Sequence, residues 1–113
     1  MKTNAIRTLL AIEAASFATA ALVHFGVLTH GYEHRKAGIA ESTIGTVLLI
    51  ALALTFLRPA SSRRIGRFAQ GFALFGTFVG IFTIVIGIGP RTTPDLAYHV
   101  VIVAVLLFGL LRS

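Results

Sequence analysis

Residues 37–57 read AGIAESTIGTVLLIALALTFL, and Glu41 is the only charged side chain among them. At about 1.5 Å per residue, a helix of roughly 20 apolar residues crosses a hydrocarbon core of about 30 Å. Residues 6–28, 68–88 and 95–111 have the same apolar character. None of the four stretches alternates with a period of two, and so few strands could not close a barrel in lipid. The sequence therefore predicts an all-α integral membrane protein. It is expected to form one four-helix transmembrane domain over 1–113, with helices at about 6–28, 37–57, 68–88 and 95–111. The breaks at Thr29–Lys36, Arg58–Gly66 and Gly87–Asp95 are short. Short connections make successive helices antiparallel, as in an up-down-up-down bundle. In the last break, Thr93-Pro94-Asp95 reads as a helix start with Thr93 as the N-cap.

Composition agrees with this reading. Of the 113 residues, 56% are hydrophobic and 12% charged, against roughly 25% charged in a soluble domain. The absence of cysteine excludes disulfides and thiolate metal sites. A formal charge of +6 could suggest nucleic acid, but the Lys and Arg side chains sit in the breaks between apolar runs. That is where basic residues anchor membrane helices, whereas a nucleic-acid footprint is a basic face on a folded domain. The expected partners are the lipid bilayer and either further copies of the chain or a larger membrane complex.

Seven of the ten Lys and Arg residues fall on one side of this topology: Lys2, Arg7, Arg58, Arg63, Arg64, Arg67 and Arg112. Arg35, Lys36 and Arg91 fall on the other. The positive-inside rule then puts both termini in the cytoplasm and the chain in a bacterial-type inner membrane. Lys2, Arg7 and Ala18-Thr19-Ala20 imitate a cleaved signal peptide. Glu13 interrupts the apolar region such a peptide needs, so this segment is expected to remain as the first helix. Gly76 and Gly80 form a GxxxG spacing, expected to serve close helix packing within the chain.

The ionisable residues inside the apolar runs carry the functional reading. His24, Glu41 and His99 are each expected about 6–8 Å below the outer boundary, on three different helices. Ionisable groups in the membrane interior are costly unless paired, and usually face the bundle interior. Tyr98 lies at a similar depth. Glu13 and Gln70 form a second polar level in the other half, expected to join in a hydrogen bond between the first and third helices.

Several chemistries suit this set. His24 and His99 on facing helices could bind haem b as its two axial ligands, giving an electron-transfer site. Covalent haem attachment is excluded, since the sequence has no CxxCH. His24, His99 and Glu41, completed by His34 or Glu33, could instead hold a non-haem metal ion, iron or zinc. Neither HExxH nor ExxH spacing is present. A structural role, with these groups hydrogen-bonded to one another in an accessory subunit, uses the same residues. Four helices, the chain length and Ile12-Glu13-Ala14 in the first helix resemble the small multidrug resistance exporters in outline. That resemblance implies a proton-coupled exporter in which Glu13 exchanges protons for a cationic drug. The chain departs from that family in having no Trp, no Lys later in the first helix, and His residues clustered towards the opposite end. No nucleophile–base motif or phosphate loop assigns a catalytic activity.

Overall fold

A computed structural model describes residues Met1–Ser113. It contains α1 (Thr3–His24), α2 (Arg35–Leu57), a 3-10 turn at Pro59–Ser61, α3 (Ser62–Val85) and α4 (Thr93–Arg112), and no strands. All four helices are long and apolar enough to span a membrane.

Neighbouring helices pair in opposite directions. Arg7 meets Thr55, Phe17 lies against Gly45 and His24 against Glu41, so α1 and α2 run antiparallel. Gly80 faces His99 and Arg67 reaches Ser113, so α3 and α4 do likewise. The core is a seam of modest side chains: Ile6, Leu10, Ala14 and Phe17 from α1, Ile44, Leu48 and Ala51 from α2, Ala69 and Ala73 from α3, Ile102 and Leu106 from α4. Larger apolar groups such as Phe56, Phe68, Phe75, Val100 and Leu111 point outward. An exterior this apolar is compatible with contact with lipid tails rather than water. The GxxxG pair packs within the chain, since a Cβ at Gly76 would stand 2.7 Å from Ile44 Cδ1 and one at Gly80 would stand 3.4 Å from His99 Nε2.

The helix ends explain where the polar groups fall. α1 stops at His24, four residues short of the end of its apolar run, because Gly26 takes φ +75°. Gly26 N–H then bonds Val23 O and Val27 N–H bonds Leu22 O, the paired bonds of a Schellman motif. α3 ends the same way, with Gly87 at φ +89°, Gly87 N–H on Ile84 O and Ile88 N–H on Thr83 O. Val27, Leu28 and Ile88 extend the apolar runs beyond these glycines but are not helical. The N-cap of α4 is Thr92, not Thr93: the Asp95 carboxylate reaches back to Thr92 N–H and the Thr92 hydroxyl faces Asp95 N–H. A capping box needs its acid at the third helical position, which fixes the cap three residues before Asp95.

Arginines close the helix C-termini. Arg7 donates to Thr55 O at 2.8 Å, Arg91 to Ile84 O at 2.6 and 2.8 Å, and Arg67 to Ser113 O at 2.6 Å. Each meets a carbonyl at the negative end of a helix dipole, and Ile84 O also accepts from Gly87 N–H.

Gly87→Ala is expected to lower stability in detergent by about 1–2 kcal/mol, the cost of a Cβ in left-handed backbone. Gly71, helical and with open space where a Cβ would go, is the control: Gly71→Ala should be neutral or raise stability by up to about 1 kcal/mol. Thermal unfolding of both variants checks this. Equal effects would contradict the assigned role of Gly87.

Candidate functional site: a histidine held by two carboxylates

His24 is the last residue of α1, with 4% of its surface exposed. Helix side chains slant towards their own N-terminus. His24 therefore leans down into the bundle, while Glu41, on the antiparallel α2, leans up to meet it. His24 Nδ1 lies 2.6 Å from Glu41 Oε1, and Nε2 lies 2.8 Å from Asp95 Oδ1. Three helices thus converge on one imidazole, and all three side chains are buried.

The remaining lone pairs of the two acids are treated differently. Asp95 Oδ2 accepts from both the backbone N–H and the hydroxyl of Thr92, at the positive end of α4. Glu41 Oε2 receives no hydrogen bond from the protein. The two bonds to His24 need one proton each, and neutral imidazole supplies only one. With both bonds formed, the Glu41–His24–Asp95 triad holds one further proton and a net charge of −1. No Lys or Arg forms a salt bridge with either carboxylate.

The other expected site residues occupy distinct positions. His99 turns Nδ1–H onto Asp95 O at 2.7 Å, which leaves its lone pair on Nε2. His34 caps α2, accepting from Ala37 N–H on Nδ1 at 3.1 Å and donating Nε2–H to Ile88 O at 3.0 Å. Both nitrogens of His24 and both of His34 are therefore in use. A haem iron between His24 and His99 would need a free nitrogen on each ring, and His24 has none. Nor do three His, Cys, Asp or Glu side chains gather in a set that could hold a metal ion. On this geometry the residues do not fit either group.

Tyr98 packs edge-on against Phe17 and His99, with its hydroxyl buried and unpartnered. In the other half, Glu13 is fully buried with both carboxyl oxygens unpartnered, and the expected bond to Gln70 is not formed. Gln70 Nε2 turns back to Gly66 O on its own helix at 3.2 Å, and its Oε1 packs against Gly109. Glu33 lies outside the bundle. Backbone N–H groups of its own residue and of Gly31, with His30 nearby, hold its carboxyl below the usual range.

Two openings flank the triad. A cavity of about 170 Å³ between α2, α3 and α4 is lined by Glu41, Tyr98 and His99 among others. A wider groove of about 730 Å³ between α1 and α4 is bordered by Ser16, Thr19, His24, Asp95 and Tyr98. Tyr98 borders both.

Asp95 is the member of the triad absent from the expected site residues, having been placed only in the helix start Thr93-Pro94-Asp95. Thr92-x-x-Asp95 was the available signal, since a capping box brings the acid to the first turn of α4, beside the end of α1.

His24→Ala should cost about 3–5 kcal/mol in thermal unfolding, because it strands two carboxylates in the interior. Asp95→Asn can still meet the imidazole and should cost much less. A His24→Ala protein as stable as the parent would contradict the clamp. The chain matches no family model, no curated protein and no solved structure, so the site is read from its own geometry.

Proposed function

We propose that this chain is a proton-handling membrane protein, a small carrier in which Glu41 takes up and releases a proton beside His24 and Asp95. The observation that carries the reading is the single buried imidazole bonded at both nitrogens to carboxylates from two other helices. Such a site is one proton short of neutral, and an unmatched charge in the membrane interior is costly. Asp95 has its oxygens filled by Thr92 and His24, so the neutralising proton goes to the bare Oε2 of Glu41. Loss of that proton restores the charge, which gives the site two states that differ by one proton. With seven of ten basic residues at the termini end, that end is cytoplasmic by the positive-inside rule and the triad opens towards the outer face.

A redox reading with haem b or a non-haem metal ion, iron or zinc, retains one supporting observation. His99 Nε2 carries a free lone pair on the cavity that Glu41 also lines. Two protein ligands are fewer than the three that catalytic zinc sites use, so the proton reading is preferred. The exporter reading through Glu13 needs a route to that residue, and neither opening described above is lined by it.

Infrared difference spectra of the purified protein across a pH titration test the proposal. In a Glu13→Gln background, which removes the other buried carboxyl without a partner, a protonated-carboxyl band should grow in as pH falls and disappear when Glu41→Gln is added. Its survival in the double variant would move the proton elsewhere. A Soret band, or stoichiometric iron or zinc in the same preparation, would replace the proposal with the redox reading.

A further inference from the structure

The cavity between α2, α3 and α4 has a polar lining that consists almost entirely of acceptors. Glu41 Oε2 is unpartnered, and His99 presents a lone pair because its Nδ1–H is spent on Asp95 O. Thr77 and Thr83 spend their hydroxyl protons on Ala73 O and Gly80 O, at 2.7 and 2.6 Å, leaving only lone pairs to offer. His34, also on the lining, has both nitrogens satisfied elsewhere. The Tyr98 hydroxyl, buried and unpartnered, can donate as well as accept, and the exposed Lys36 is the only other side-chain donor on the lining. The rest of the lining is apolar, including Phe17, Ile44 and Val79.

Acceptors in excess, a site one positive charge short and apolar walls together specify a ligand. We infer that this cavity binds a small organic ammonium ion, its N–H groups on Glu41, His99 and Tyr98 and its hydrocarbon part against Phe17, Ile44 and Val79. The volume of about 170 Å³ suits a single-ring molecule, since an engineered cavity of about 150 Å³ holds benzene. An ammonium brings three N–H donors to a lining rich in acceptors, and its charge cancels the −1 of the triad. The site shares Glu41 with the His24 clamp, and its charge logic rests on the proton reading above. Ammonium and proton compete for one carboxylate: the amine enters as R–NH3⁺, the Glu41 proton leaves to solvent, and net charge is conserved.

The charged and titratable groups around Glu41 are His24 on α1, Lys36 on its own helix, Asp95, Tyr98 and His99 on α4, and His34 in the loop. Lys36 is the rival occupant. It is exposed and lines the same cavity, and its flexible stem could deliver an ammonium from within the chain.

Titration calorimetry with benzylammonium, and with benzyl alcohol as its uncharged isostere, tests the inference on the full chain in non-ionic detergent. The ammonium should bind at least tenfold tighter than the alcohol, and Glu41→Gln should remove that preference. Equal affinity of the two probes for the unaltered protein overturns the site without needing a variant. Binding of benzylammonium to Lys36→Met alone also overturns it, because Lys36 then fills the cavity in the natural chain. Repeating the titration in two buffers of different ionisation enthalpy separates this inference from the proton reading. Tight binding with no proton released keeps the ammonium site and removes the proton exchange. A Glu41 that titrates in the infrared without binding the amine keeps the exchange and removes the site.

Discussion

A buried imidazole in a bilayer has no water to turn to, and both ring nitrogens of His24 must find partners in the protein. They find Glu41 on α2 and Asp95 on α4. Side chains of defined length and direction then set the rotation of α1, α2 and α4 about their axes. The apolar seam of the rest of the core adds van der Waals contact without directional hydrogen bonds. α3 stands outside the clamp. It is held by small-residue packing, by Arg67 on Ser113 and by the turn at Gly87. The cavity opens where α3 faces α2 and α4, against the one helix that the clamp does not fix.

The order and number of the helices were legible in the sequence because lipid allows an apolar run of some 20 residues so few alternatives. The helix ends were less so, and the site depended on them. Hydropathy carried the first helix to Leu28, which set His24 a turn below its end and level with His99. The left-handed backbone at Gly26 ends the helix at His24, one turn nearer the loops, where Asp95 rather than His99 is the neighbour. Glu41 was legible as an interior acid, and the structure hydrogen-bonds it to His24. The uses of His34 and His99 were not, because a cap and a bond to an i−4 carbonyl depend on local backbone geometry rather than on depth.

Glu13 and Gln70 show the same limit from the other side. Depth and face placed both in the bundle interior, and both are fully buried. An amide side chain in a helix can bond its own backbone four residues back, and Gln70 does so through Gly66 O. That local bond leaves Glu13 without the partner it was expected to have. The bundle therefore holds two levels of acid, one organised around an imidazole and one bare. Glu13 and His24 are eleven residues apart on the inward face of α1, about 16 Å along the helix axis.

Magnetic-resonance spectroscopy of the protein in lipid bilayers, with nitrogen-15 in histidine and carbon-13 in the Asp and Glu carboxyls, examines the clamp directly. The expected spectrum correlates one His24 ring nitrogen with the Glu41 carboxyl and the other with that of Asp95, with a proton in each bond. A His24 nitrogen that carries a free lone pair, ligates a metal, or correlates with only one of the two acids would contradict the clamp and the function built on it.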